Sequence, residues 1–96
     1  MRELRFTPEA KGELARQLDY LVGEGAVRAA QTLLDRVERF LSTTLLEWPG
    51  TGRFIPDPGV WESWVPRTWL VIWYTFDDAE LVVIAVWHAS QNRASE

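Results

Sequence analysis

Residues 68–88 read Thr68-Trp69-Leu70-Val71-Ile72-Trp73-Tyr74-Thr75-Phe76-Asp77-Asp78-Ala79-Glu80-Leu81-Val82-Val83-Ile84-Ala85-Val86-Trp87-His88. β-Branched and aromatic residues crowd both sides of a short polar break, the composition of two strands joined by a hairpin turn. We therefore expect strands from about Arg67 to Phe76 and Leu81 to Trp87, with Asp77-Asp78-Ala79-Glu80 turning between them. Upstream, Val60 to Val65 reads as a further strand, after a loop containing Pro56 and Pro58. Successive hairpins imply an antiparallel sheet. The two-residue period puts Leu70, Ile72, Tyr74 and Phe76 on one face and Trp69, Val71 and Trp73 on the other, so both faces of this strand are apolar. A sheet backed by helices on one side needs only one such face. The second is expected to meet a partner chain.

Working back toward the N-terminus, Glu3 to Phe6 alternates charged and apolar side chains like a short strand, and Thr7-Pro8 supplies an N-cap followed by proline at the first helical position. Ala10, Leu14, Leu18, Leu21 and Val22 recur at helical spacing until Gly23-Glu24-Gly25. A second helical run carries Ala26, Ala29, Ala30, Leu33, Leu34, Val37, Phe40, Leu41 and Leu45, and Pro49-Gly50 closes it. The expected fold class is α+β, in the order β-α-α-β-β-β, with a helical hairpin on one face of an antiparallel sheet. A chain of 96 residues fits one domain, taken as 1–96.

The chain has no cysteine, which excludes disulfides, thiolate nucleophiles and cysteine-ligated metals, and fits a reducing, cytoplasmic setting. Its apolar runs are too short to span a bilayer, and charges at Arg2, Glu3 and Arg5 stand where an export signal would be apolar. We expect no membrane association. Net charge is −4, and residues 49–96 hold three basic groups against six acidic ones, which argues against direct DNA binding.

The sole histidine, His88, ends the last strand, where it serves either as a general acid or base or as a loop hydrogen-bond partner. Asp77 and Asp78 read as turn formers rather than metal ligands, and no cofactor is expected. Arg53, Arg67 and Arg93 are the cations of the sheet half; gathered on one rim they would bind phosphate or carboxylate, and apart they would be solvated or paired.

Taken together, Phe6-Thr7-Pro8-Glu9-Ala10-Lys11, Tyr20, the alanine-rich start of the second helix, Pro49 with Gly52-Arg53, Pro56, Trp73-Tyr74, and Val86-Trp87-His88 with Gln91 and Arg93 resemble the ParE branch of the ParE/RelE superfamily of type II toxins, the plasmid-stabilisation proteins. The resemblance covers Glu3 to Arg93. It implies the RelE/ParE-like fold, growth inhibition, neutralisation by a cognate ParD-like antitoxin, and action as a DNA gyrase inhibitor through protein-protein contact rather than catalysis. The alternative within the superfamily is a RelE-like, ribosome-dependent mRNA endoribonuclease, with His88 as acid or base and Arg53, Arg67 and Arg93 around the phosphate. For the antitoxin we expect contacts at Leu70, Ile72, Tyr74, Phe76, Arg53 and Arg67, helped by the small residues Ala26, Ala29 and Ala30. For the target we expect Trp61, His88, Gln91 and Arg93.

Overall fold

The computed structural model describes residues 2–91, excluding the side chain of Gln91. Strand β1 (Glu3–Phe6) leads into helix α1 (Pro8–Gly23), followed by α2 (Val27–Phe40), which runs on as a π-helical turn at Leu41–Leu45. Strands β2 (Arg53–Ile55), β3 (Val60–Trp64), β4 (Leu70–Phe76) and β5 (Glu80–His88) complete the sheet. The α1 start is as expected: the Thr7 hydroxyl accepts the Ala10 N–H at 3.1 Å, with Pro8 in the first turn. At the other end Gly25, at φ +80°, lets the chain reverse, and the Ala26 N–H donates to the Leu21 carbonyl.

The strand order is β1-β5-β4-β3-β2. The β2–β3, β3–β4 and β4–β5 pairs are antiparallel, as the hairpin pattern requires, but β1 lies parallel to β5, with Leu4 beside Leu81 and Phe6 beside Val83. The sheet is therefore mixed: the N-terminal strand lies beside the last strand of the chain, and the two helices that follow it come before β2 begins. β2 occupies a stretch the sequence presents as loop; three residues between Gly52 and Pro56 are too few to display a period.

Alternation holds within β4, with Leu70, Ile72 and Tyr74 fully buried beneath the helices alongside Leu33, Val37, Leu41, Leu81, Val83 and Val86. Trp69, expected on the other face, precedes the strand and packs on the helix side, its indole N–H donating to the Gln17 side chain at 3.1 Å. The opposite face closes over itself. Val71, Ala85 and Trp87 are each at most 5% exposed and cluster with Trp73 and Ala89, and the Trp73 and Trp87 rings meet edge to face at 6.0 Å. The expected bare apolar face is thus largely sheltered by its own tryptophans. Register shifts between Trp73 and Tyr74, where Ile84 bulges out of the ladder.

Candidate functional site

The sequence-predicted antitoxin contacts on β4 need correction. Leu70, Ile72 and Tyr74 have no exposed surface and Phe76 is only half-buried against the same core, so these side chains hold the helices to the sheet rather than face a partner. Tyr74 goes further: its hydroxyl donates to the Pro49 carbonyl at 2.6 Å, and burial pushes its pKa up to about 12, against a smaller opposing effect from a backbone hydrogen bond at Gly52. A Cβ on Gly52 would strike that hydroxyl and lie 2.6 Å from the Glu62 carbonyl, which is why the turn before Arg53 is glycine.

The three arginines of the sheet half do not form one described cluster. Arg53 pairs with Glu62 at 2.9 Å, and Glu62 also accepts the Trp73 indole N–H at 2.9 Å, so Arg53 belongs to the face away from the helices. Arg67 stands in the β3–β4 turn, where Arg36 of α2 donates to its carbonyl at 2.8 Å. Arg93 lies outside the described residues.

His88 pairs in register with Leu70, which puts it on the helix-covered side of the sheet, and its ring is 6.3 Å from that of Trp69. Its Nδ1 accepts the Ser90 N–H at 3.1 Å and lies 2.8 Å from the Ser90 hydroxyl. His88 and Arg53 therefore occupy opposite faces, so these two described members of the endoribonuclease set do not share one phosphate position.

Trp61 sits within an aromatic ladder, 5.4 Å from Phe54 and 5.5 Å from Phe76, with the Arg2 guanidinium 5.5 Å over the Phe76 ring. Trp61 pairs with Tyr74, while His88 pairs with Leu70. The two target candidates are thus about 13 Å apart along β4. Gln91 closes a short 3₁₀ turn, and its side chain is outside the description. Asp77 acts as the turn former expected: its carboxylate accepts the Ala79 and Glu80 N–H groups at 2.8 and 2.9 Å, which hold it below the usual carboxylate range. Among the described residues no group of three or more potential metal-ligating side chains gathers.

What the sequence did not reveal is an apolar groove of about 470 Å³ between β1, α1 and α2, lined by Leu4, Phe6, Leu14, Leu18, Leu34 and Leu41, with Lys11 and Glu38 among the polar lining. Leu14, Leu18 and Leu34 appear in the helical periodicity, where they read as core. The groove exists because the two helices leave the far edge of the sheet uncovered, a separation that residue spacing within each helix does not encode. It adjoins β1, which is an outer strand of the sheet.

A helical hairpin over one face of a five-stranded mixed sheet, with an apolar groove beside an edge strand, defines a small two-layer α+β protein. The sequence matches the family model described as the ParE toxin of the type II toxin-antitoxin system, parDE, over residues 4–93, and the chain belongs to this family of toxins. Among solved structures, a chain in the "Chromosomal ParDE TA system from P. aeruginosa" shares the fold, with a TM-score of 0.74 at 18% identity over 92% of this chain and 96% of that one. No curated protein sequence matches the chain. Among the described residues no helix is long and apolar enough to cross a membrane.

Proposed function

We propose that this ParE toxin is neutralised by a ParD-like antitoxin whose helical segment fills the groove beside β1, and that the free toxin acts on DNA gyrase by protein-protein contact without catalysing a reaction. The observation that carries the antitoxin half is the groove: leucine and phenylalanine side chains, several of them partly exposed, line one apolar hollow beside an edge strand, a surface suited to an amphipathic helix with anchors at three- and four-residue spacing. The similar solved structure from P. aeruginosa is that of a ParDE system, which supports a partner of this kind.

For the target half, the placement of Arg53 and His88 on opposite sheet faces favours contact over RNA cleavage, because stabilising a phosphorane needs cations and acid-base groups around one phosphorus. The deciding experiment is a supercoiling assay with purified gyrase. Loss of supercoiling is expected, with accumulation of cleaved DNA complexes. Unaffected supercoiling at high toxin concentration, with messages cut after induction, would return the endoribonuclease.

A further inference from the structure

On the side of α2 remote from the apolar groove, Arg28, Thr32, Arg36, Arg39 and Thr43 follow at spacings of three and four residues, one stripe down the helix and its π-helical extension. The stripe runs about 22 Å. Arg36 and Arg39 meet the β3–β4 turn across a cleft of about 370 Å³, whose lining also includes Thr43, Thr44, Pro66 and Arg67. A smaller hollow of about 190 Å³ shares Thr32, Arg36 and Arg67 and extends it toward Trp69. Asp35 is the acidic residue of the cleft lining, and it is taken by Arg39 at 3.3 Å. Cations are thus concentrated here in a chain whose net charge is −4.

The backbone shows that the placement of Arg67 is specific. The Thr68 N–H donates to the Val65 carbonyl at 3.2 Å, Pro66 holds the second turn position, and Arg67 holds the third at φ +61°. That is a type II turn, whose third position suits glycine or asparagine. An arginine there is disfavoured as a turn former, and such strain is retained where surroundings or function require the side chain. The Arg36 hydrogen bond to the Arg67 carbonyl fixes the turn against α2. After Phe40 the helix widens into its π turn at Leu41–Leu45, a distortion frequent at functional sites, with the Thr43 hydroxyl donating to the Arg39 carbonyl at 2.6 Å.

The geometry points to a docking site for an acidic peptide segment of a partner protein, with its carboxylates held by Arg36, Arg39 and Arg67. Guanidinium forks bind carboxylates through paired hydrogen bonds, and threonine hydroxyls can satisfy the peptide's remaining polar groups. A nucleic acid is the less favoured occupant, because so few cations neutralise few phosphates. Groove and cleft share no lining residue, so substitutions in one leave the other intact and the two surfaces are tested separately.

The test uses the full chain and a short fluorescein-labelled peptide alternating glutamate and alanine, followed by anisotropy at low and moderate salt. Binding is expected, weakening with salt, and the lysine-alanine counterpart should not bind. Arg67→Gly should weaken binding about tenfold or more, while leaving urea unfolding unchanged or shifted to higher urea, because glycine adopts this turn position without strain. Arg67→Asn, which also tolerates the left-handed region, should behave alike, and Arg36→Gln should weaken binding as well. The proposal is overturned if the unaltered chain does not bind the acidic peptide, or if all three variants bind it as well as the unaltered chain does. It is equally overturned if a DNA duplex binds more tightly than the peptide with the same arginine dependence, or if inorganic phosphate alone displaces the peptide at micromolar concentration.

Discussion

Tyr74 shows how one side chain ties the sheet to the connection that follows the helices. Its ring fills the core, and its hydroxyl satisfies a buried carbonyl at Pro49, the residue at which the helical region gives way to the loop leading to β2. Tyr74→Phe keeps the ring and leaves that carbonyl without its donor, so stability should fall by about 1–3 kcal/mol. The pH dependence follows from the direction of the shift. A folded-state pKa raised from 10.0 to about 12 means that the neutral phenol stabilises the fold fully below pH 10, and that this contribution is lost as pH climbs toward 12. Urea unfolding of the two proteins between pH 9 and about 12 should converge as the phenol ionises; a constant gap across that range would show that the hydroxyl has another role. The alternation along β4 was legible in the sequence, down to which residues share Tyr74's face. What alternation could not supply was which of two apolar faces the helices take, and three of the strand residues read as partner contacts, Leu70, Ile72 and Tyr74, proved to be buried.

Among the elements, legibility followed the strength of local signals. Thr7-Pro8 and the glycine turn after α1 each carry their own chemistry and appeared where the sequence placed them, and so did β5 to within a residue. By contrast, β4 begins at Leu70 rather than Arg67 because Pro66 and Arg67 form the turn before it. The β2 strand, the parallel seat of β1 and the π turn depend on contacts between residues distant in sequence or on hydrogen-bond register, and no period announces them. The β4–β5 turn belongs with the legible elements because Asp77 holds it with its own side chain. Those two N–H donors favour the carboxylate, so its folded pKa lies below the ordinary 3.8 and the turn's contribution is present above that value and lost as pH falls through the lower one. Asp77→Ala should lower the melting temperature at neutral pH, and its deficit should shrink in acid as the native carboxylate protonates. Thermal unfolding from pH 7 down to about 2 checks this, and a deficit independent of pH would assign the effect to turn propensity alone.

At the scale of the whole molecule, the helices leave apolar surface beside β1 that the described residues do not fill, and this governs how a bound partner should register in stability. A segment that binds the folded toxin and not the unfolded chain stabilises it by about 2.7 kcal/mol at a hundred times its dissociation constant. For a domain of this size that corresponds to a rise in melting temperature of about 10–20 °C. Ala15 lines the groove yet is exposed, and alanine and arginine are both good helix formers, so Ala15→Arg should leave the free toxin's melting temperature nearly unchanged while its side chain obstructs the trough. With a purified cognate antitoxin segment the variant should lose most of the thermal shift, and calorimetric affinity should fall by about 2 kcal/mol or more, the scale of a central interface anchor. Leu4→Asp, on the strand side of the same groove, should act in the same direction from the opposite wall. If both variants keep the full shift, the antitoxin seats elsewhere. The arginine cleft on the far side of α2 would then be the next surface to test, and Arg67→Gly distinguishes the two because it leaves every groove residue in place.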